Sequence, residues 1–156
     1  MFELKTMRDK VDAFDRLLAA TPAEVTHIRP ATDDWTLTEI VGHLVDSAAN
    51  NHQRFARLRL GDLDAFPGYE AETWVKVQEY DGFEFTALAE LWRQYNAFLL
   101  HLAATTPETA AENIWTSEGK SQTLESLVSG YYEHLALHTE HYARRLAEVS
   151  DPLPPA

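Results

Sequence analysis

Four stretches of this chain repeat apolar residues every three or four positions, and none keeps a period-two alternation. A chain patterned this way buries its apolar surface by laying helices side by side, so an all-α helical bundle is expected. In the first stretch, 3–20, Leu4, Met7, Val11, Phe14 and Leu17 or Leu18 mark one face. Thr21-Pro22 ends it, because proline removes a donor and clashes with a helical turn. The second, 37–60, carries Leu37, Val41, Leu44, Ala48, Asn51, Phe55 and Leu58. Thr36 followed by Glu39 has capping-box spacing, which makes Thr36 the N-cap, and Gly61 is a plausible stop. The third, 85–104, points Leu88, Leu91, Trp92, Tyr95, Phe98, Leu99 and Leu102 inward. The fourth, 124–149, is capped by Thr123 or Ser121. Its inward stripe is Leu124, Val128, Tyr131, Leu135, His138, Tyr142 and Val149.

Two long connections separate these helices. Residues 61–83 hold no continuous helix, although a short one fits 72–78. Phe66-Pro67-Gly68-Tyr69 reads as a type II turn. A connection this long is often functional or serves as a crossover. The second, 108–122, reads as irregular, with a turn at Gly119.

The 156 residues suit one domain, expected at 2–150, with 151–156 as a flexible tail. Acids outnumber bases 25 to 13 for a net charge of −12, which argues against nucleic acid and anionic membrane surfaces as partners. There is no cysteine, so disulfides, thiolate metal sites and a protein-borne thiol nucleophile are excluded. The first twenty residues carry charges every few positions and do not read as a signal peptide. No stretch approaches the roughly 20 apolar residues of a membrane span. A cytoplasmic location is expected.

Chemistry concentrates in the histidines. His134 and His138 are four apart, hence on one helix face about 40° and 6 Å apart, where two imidazoles can share a metal ion. The alternative is a pair of core histidines satisfied by neighbouring side chains. His43 belongs to a polar stripe of the second helix, with Ile40, Ser47, Asn50, Arg54 and Arg57, beside the apolar one. Metal sites in bundles are assembled from facing helices, and three neutral imidazoles leave positions open for water or substrate. His52 is half a turn away from His43 in rotation, His27 lies in a loop, and His101 is alone on the third helix. His141 shares the face of His134 and is a candidate fourth ligand, a supporting donor or a solvent-facing residue. Asp46 either orients a ligand imidazole or is a surface carboxylate. Asn50 either contacts substrate, or belongs with Asn51 in a buried polar network or a subunit contact. No phosphate loop, HExxH or GxSxG motif is present.

The residues from Trp35 through His43 to Ser47, the Phe66-Pro67-Gly68-Tyr69 segment with Trp74, and Glu133-His134-Leu135-Ala136-Leu137-His138 together resemble the DinB-like superfamily, over about residues 3–149. The resemblance implies a four-helix bundle with a long crossover between helices 2 and 3. It also implies a divalent metal on three histidines, which map onto His43, His134 and His138. Some relatives are transferases or isomerases that use low-molecular-weight thiols. The chain departs from some members in carrying Ala48 in place of an acid and His141 in place of a glutamine.

The reading is therefore a metal-dependent enzyme holding Zn²⁺ or Ni²⁺. It would transfer a low-molecular-weight thiol cosubstrate to an electrophile, or hydrolyse a small-molecule substrate. Protons should compete for the ligands below about pH 6. Four Trp, six Tyr and seven Phe exceed what one small core needs and suggest a homodimer. The alternative is a non-catalytic metal-binding stress-response or scaffold protein acting as a dimer.

Overall fold

The computed structural model describes residues 2–151. Four long helices dominate it: α1 (Leu4–Ala20), α2 (Leu37–Leu58), α4 (Phe85–Ala104) and α6 (Leu124–Ser150). α2 packs against α4 and α6, and so does α1. The first two helices of the chain are thus diagonal across the bundle, and the crossover from α2 to α4 carries the rest of the connection. That crossover holds a two-residue strand β1 (Leu63–Asp64), the short helix α3 (Ala71–Gln78) and a 3₁₀ turn at Tyr80–Gly82.

Local chemistry sets the helix ends. Thr36 accepts from the Glu39 amide at 3.2 Å while Glu39 accepts from the Thr36 amide at 2.9 Å, a complete capping box. At the start of α6 the cap is Thr123, accepting from the Ser126 amide at 3.1 Å. α2 ends two residues earlier than its periodicity suggests, and Leu60 beyond it is exposed.

The core follows the expected stripes of α1, α2 and α6 closely. Met7, Val11, Phe14 and Leu18 of α1 are buried, as are all seven stripe residues of α2. Phe14 meets the Trp92 ring edge-on at 4.7 Å and the Tyr142 ring at 5.2 Å, and the Tyr142 hydroxyl bonds Thr21 Oγ1 at 2.7 Å. α4 departs from expectation: Leu91 and Phe98 are 47% and 43% exposed. Its buried stripe is rotated to include Asn96, a polar residue that periodicity passes over. Asn96 is accommodated because Tyr131 donates to its Oδ1 at 2.7 Å and its own Nδ2 donates to Trp92 O at 3.0 Å.

Two connections differ from the sequence reading. Residues 108–122 hold a one-turn helix α5 (Glu108–Ala111) and strand β2 (Ile114–Ser117); β3 (Lys120–Thr123) follows. β2 and β3 pair antiparallel, and β1 pairs parallel to β2 with Leu63 opposite Trp115. Glu118 and Gly119 both have positive φ, 52° and 76°, the requirement of a tight type I′ hairpin turn. These strands are too short and too polar to show alternation, since only Trp115 among β2 and β3 is buried. The second correction is at Phe66-Pro67-Gly68-Tyr69. Gly68 lacks the positive φ of a type II turn, and no turn forms. Instead Trp115 Nε1 donates to Phe66 O at 2.9 Å, tying this segment to the sheet.

Of the expected tail, residues 152–156 lie outside the described residues. No helix among the described residues is long and apolar enough to cross a membrane.

Candidate metal centre

The capping box at Thr36 fixes the phase of α2, and two turns later His43 faces the neighbouring α6. There His134 and His138 stand one turn apart on the same face. The three imidazoles converge: His43 Nε2 lies 3.2 Å from His134 Nε2 and 3.1 Å from His138 Nε2. One nitrogen from each ring falls within 4.8 Å of the others. His43 is buried, 3% exposed, and the other two are half-buried.

The electrostatics keep these rings neutral. Burial, with the nearby His134 and His141, lowers the His43 pKa to about 4. Burial, followed by repulsion from His43, His134 and His141, lowers His138 to about 3. Burial also lowers His134. Each neutral imidazole offers one lone pair and one proton, so His43 Nε2 cannot be well paired with both neighbours at once. A cation between the three nitrogens resolves this. Ligand nitrogens roughly 2.0–2.1 Å from a tetrahedral zinc stand about 3.3 Å apart, close to the spacing here. The donor set therefore fits a divalent ion with an affinity for imidazole.

Around the trio, Trp35 is the main wall. Its ring centroid lies 5.1 Å from that of His43 and 6.5 Å from that of His138, stacked on the latter. Buried Arg145 on α6 holds it by donating to Trp35 O, while pairing with Glu148 at 2.9 Å and Asp34 at 3.5 Å. Ser47, one turn past His43, sets its Oγ 3.5 Å from His134 Nδ1. His43 Nδ1 is buried without a hydrogen-bond partner.

The other candidates fall as follows. His141 Nδ1 lies 3.4 Å from His138 Nδ1 and so sits behind that ring, outside the converging nitrogens. Asp46 is neither a surface carboxylate nor an imidazole partner. It is buried and accepts from Tyr80 Oη at 2.6 Å and Gln78 Nε2 at 2.9 and 3.0 Å. Three residues past His43, it is rotated by about 60° toward the crossover, which it binds to α2. Burial raises its pKa against those hydrogen bonds, and burial followed by Asp46 raises Tyr80. Asn50 contacts no histidine; its Nδ2 donates back to Asp46 O at 2.9 Å. Asn51 is the asparagine linked to the site, donating to Ser47 O at 2.9 Å. His52 meets Tyr95 Oη at 3.1 Å, His27 meets Asp81 at 3.1 Å, and His101 stacks on Phe98, all away from the trio.

Three contributors went unassigned from sequence: the wall of Trp35, the brace of Arg145, and Tyr69. Tyr69 brings its hydroxyl into the field of Ser47, Asp46 and Arg54, and burial raises its pKa. Trp35 and Tyr69 stand inside recognisable segments, but Arg145 carries no local signal, because its partner lies 110 residues away.

With this arrangement in view, a family model described as the DinB superfamily matches residues 5–142. The chain belongs to the DinB superfamily. No curated protein matches it by sequence. Among solved structures it is similar to YfiT from Bacillus subtilis, described as a probable metal-dependent hydrolase with an unusual four-helix bundle topology. That likeness has a TM-score of 0.76 at 16% identity, over 92% of this chain and 85% of that one. It is also similar to a mycothiol-dependent maleylpyruvate isomerase, with TM-score 0.67 at 15% identity over 94% of this chain. A histidine-to-alanine variant of that isomerase gives TM-score 0.67 at 14% identity. The chain spans 59% of the isomerase's length. These identities speak to the fold.

Proposed function

We propose that this DinB-superfamily protein is a metal-dependent enzyme acting on a small molecule, with His43, His134 and His138 as ligands to one divalent ion. Zn²⁺ and Ni²⁺ suit an all-imidazole set best. The observation that carries the reading is the convergence of three neutral Nε2 atoms from two helices at 3.1 and 3.2 Å. When bound, such an ion lowers the pKa of a coordinated water or thiol. The chain's own residues supply the rest. Trp35 walls the histidines on one side, Ser47 offers a hydroxyl beside His134, and the Tyr69 hydroxyl stands next to Ser47. The absence of cysteine means that an attacking sulfur would arrive as a low-molecular-weight thiol cosubstrate. Hydrolysis needs no such partner. The similar structures support each branch: YfiT is described as a probable metal-dependent hydrolase and the isomerase as mycothiol-dependent.

The test is a pair of screens on protein purified without a histidine tag and loaded with zinc or nickel. One offers thiols with electrophiles, the other small esters and amides. Turnover in either that disappears in His43→Ala and His138→Ala supports the reading. A fully loaded protein inert in both supports the non-catalytic alternative. The proposal also includes a cytoplasmic homodimer, with exposed Leu91 and Phe98 of α4 as apolar surface for contact. A monomer mass by light scattering at high concentration rejects the dimer.

A further inference from the structure

One charge on the histidine-bearing face of α2 has no counter-ion. Arg54 lies on α2 eleven residues past His43 and seven past Ser47. Eleven residues are three turns, so the three side chains share a face, with Arg54 about 16 Å along the axis from His43. Arg54 is only 8% exposed. Its Nε is buried with no hydrogen-bond partner, and among the described residues no carboxylate comes within 4 Å of its nitrogens. What it does have is the Trp115 ring, 4.9 Å from Cζ to the centroid, and the nearby Tyr69 hydroxyl. The other well-buried guanidinium in this protein, Arg145, is paired with Glu148 and Asp34. Half-buried Arg93 and exposed Arg29 are paired as well, with Asp15 and Glu39. A buried charge without a partner is costly, and a cation–π contact offsets only part of that cost.

Two hydroxyls stand between it and the histidines. Tyr69 feels Ser47, Asp46 and Arg54 together, and Ser47 Oγ approaches His134. Tyr69 and Trp115 also line a cavity of ≈ 410 Å³, together with Lys120, Glu70 and Glu118. We infer that Arg54 recognises a carboxylate on the small-molecule substrate whose reacting group sits at the three histidines, an inference that rests on the function proposed above. The planar guanidinium fork matches a carboxylate. Asp46 beside Tyr69, with Glu70 and Glu118 in the cavity lining, disfavours a phosphate dianion, so the anion is a monoanionic carboxylate group. Arg54 is a specificity-determining residue here, with no part in bond making.

The experiment uses the metal-free full chain, so it reads independently of metal binding. Wild type, Arg54→Met and Arg54→Lys are titrated with succinate, and separately with inorganic phosphate, at constant ionic strength in chloride. The readouts are the melting temperature and the Arg54 Nε–H resonance. Succinate should raise the wild-type melting temperature and move that resonance. Arg54→Lys should bind succinate at least fivefold more weakly, because it keeps the charge and loses the fork. Arg54→Met should melt no lower than wild type without anion and ignore succinate. Wild-type indifference to succinate, an Arg54→Lys affinity equal to wild type, or a larger response to phosphate overturns the inference. If Arg54→Met does not fold, the Arg54→Lys comparison decides alone. Failure of the parent reading shows elsewhere, as a histidine trio that takes up no metal.

Discussion

Gly42 immediately precedes His43 and lies under the Tyr80 ring. A Cβ at this position would meet Tyr80 Cδ2 at 2.2 Å, Cγ at 2.3 Å and Cε2 at 2.7 Å. Carbon atoms pack at about 3.5–4.0 Å, so in Gly42→Ala the ring must retreat by more than an ångström. It is poorly free to do so, being buried and anchored through its hydroxyl to Asp46 at 2.6 Å. Overpacking costs about 1–3 kcal/mol, and losing a hydrogen bond to a charged group costs about 1.5–3 kcal/mol. Alanine returns only about 0.5–1 kcal/mol of helix propensity. The expected net loss is at least about 2 kcal/mol, or a fall of roughly 4–8 °C in melting temperature for a chain of this size. Gly130 is the control: it is helical and exposed in α6, with nothing within 4 Å of an added Cβ. Gly130→Ala should therefore stabilise by about 0.5–1 kcal/mol. Urea midpoints at constant slope measure both. In a Tyr80→Ala background, Gly42→Ala should become neutral or stabilising. Equal stabilisation by both glycine replacements in the wild-type background would refute the packing of Tyr80 on α2.

Other outcomes follow from the same contacts. Tyr80→Phe keeps the ring and removes the donor to Asp46, leaving Gln78 as its partner from the crossover. It should cost about 1–2 kcal/mol by urea unfolding at pH 7. The histidines give a pH signature. Their folded pKa values, about 4 for His43 and about 3 for His138, lie below the unfolded value. Their contribution to stability is therefore complete above about pH 6.5 and is lost as pH falls toward 4 and then 3. The metal-free urea midpoint should decline over that window, and His43→Ala should flatten the decline. For the same reason, proton competition for bound zinc should set in at lower pH than the value of about 6 expected for ordinary imidazoles.

The long helices were legible because each buries a stripe whose spacing survives in sequence. The capping box at Thr36 was legible because both partners lie within three residues. The sheet was not, since its parallel pair joins Leu63 to Trp115 across fifty-odd residues and its exposed side chains carry no pattern. Asn96 hid the true face of α4, because its satisfaction by Tyr131 is a tertiary fact. At the site, helical spacing paired His134 with His138 and the polar stripe brought in His43. The roles of Asp46 and Arg54 depend on what the crossover and the hairpin bring against α2, and residue spacing along one helix does not encode that. The same holds for Arg145, whose brace on Trp35 spans the chain.

The account turns on whether the converging imidazoles hold a metal ion. Elemental analysis of untagged protein, as purified and after zinc or nickel reconstitution at neutral pH, tests this directly alongside four variants. The expected result is one divalent ion per chain in wild type and in His52→Ala. His43→Ala, His134→Ala and His138→Ala should each lose most of it while keeping their helical circular dichroism. A wild type that stays metal-free after reconstitution, or a His138→Ala protein that keeps full occupancy, would contradict the account.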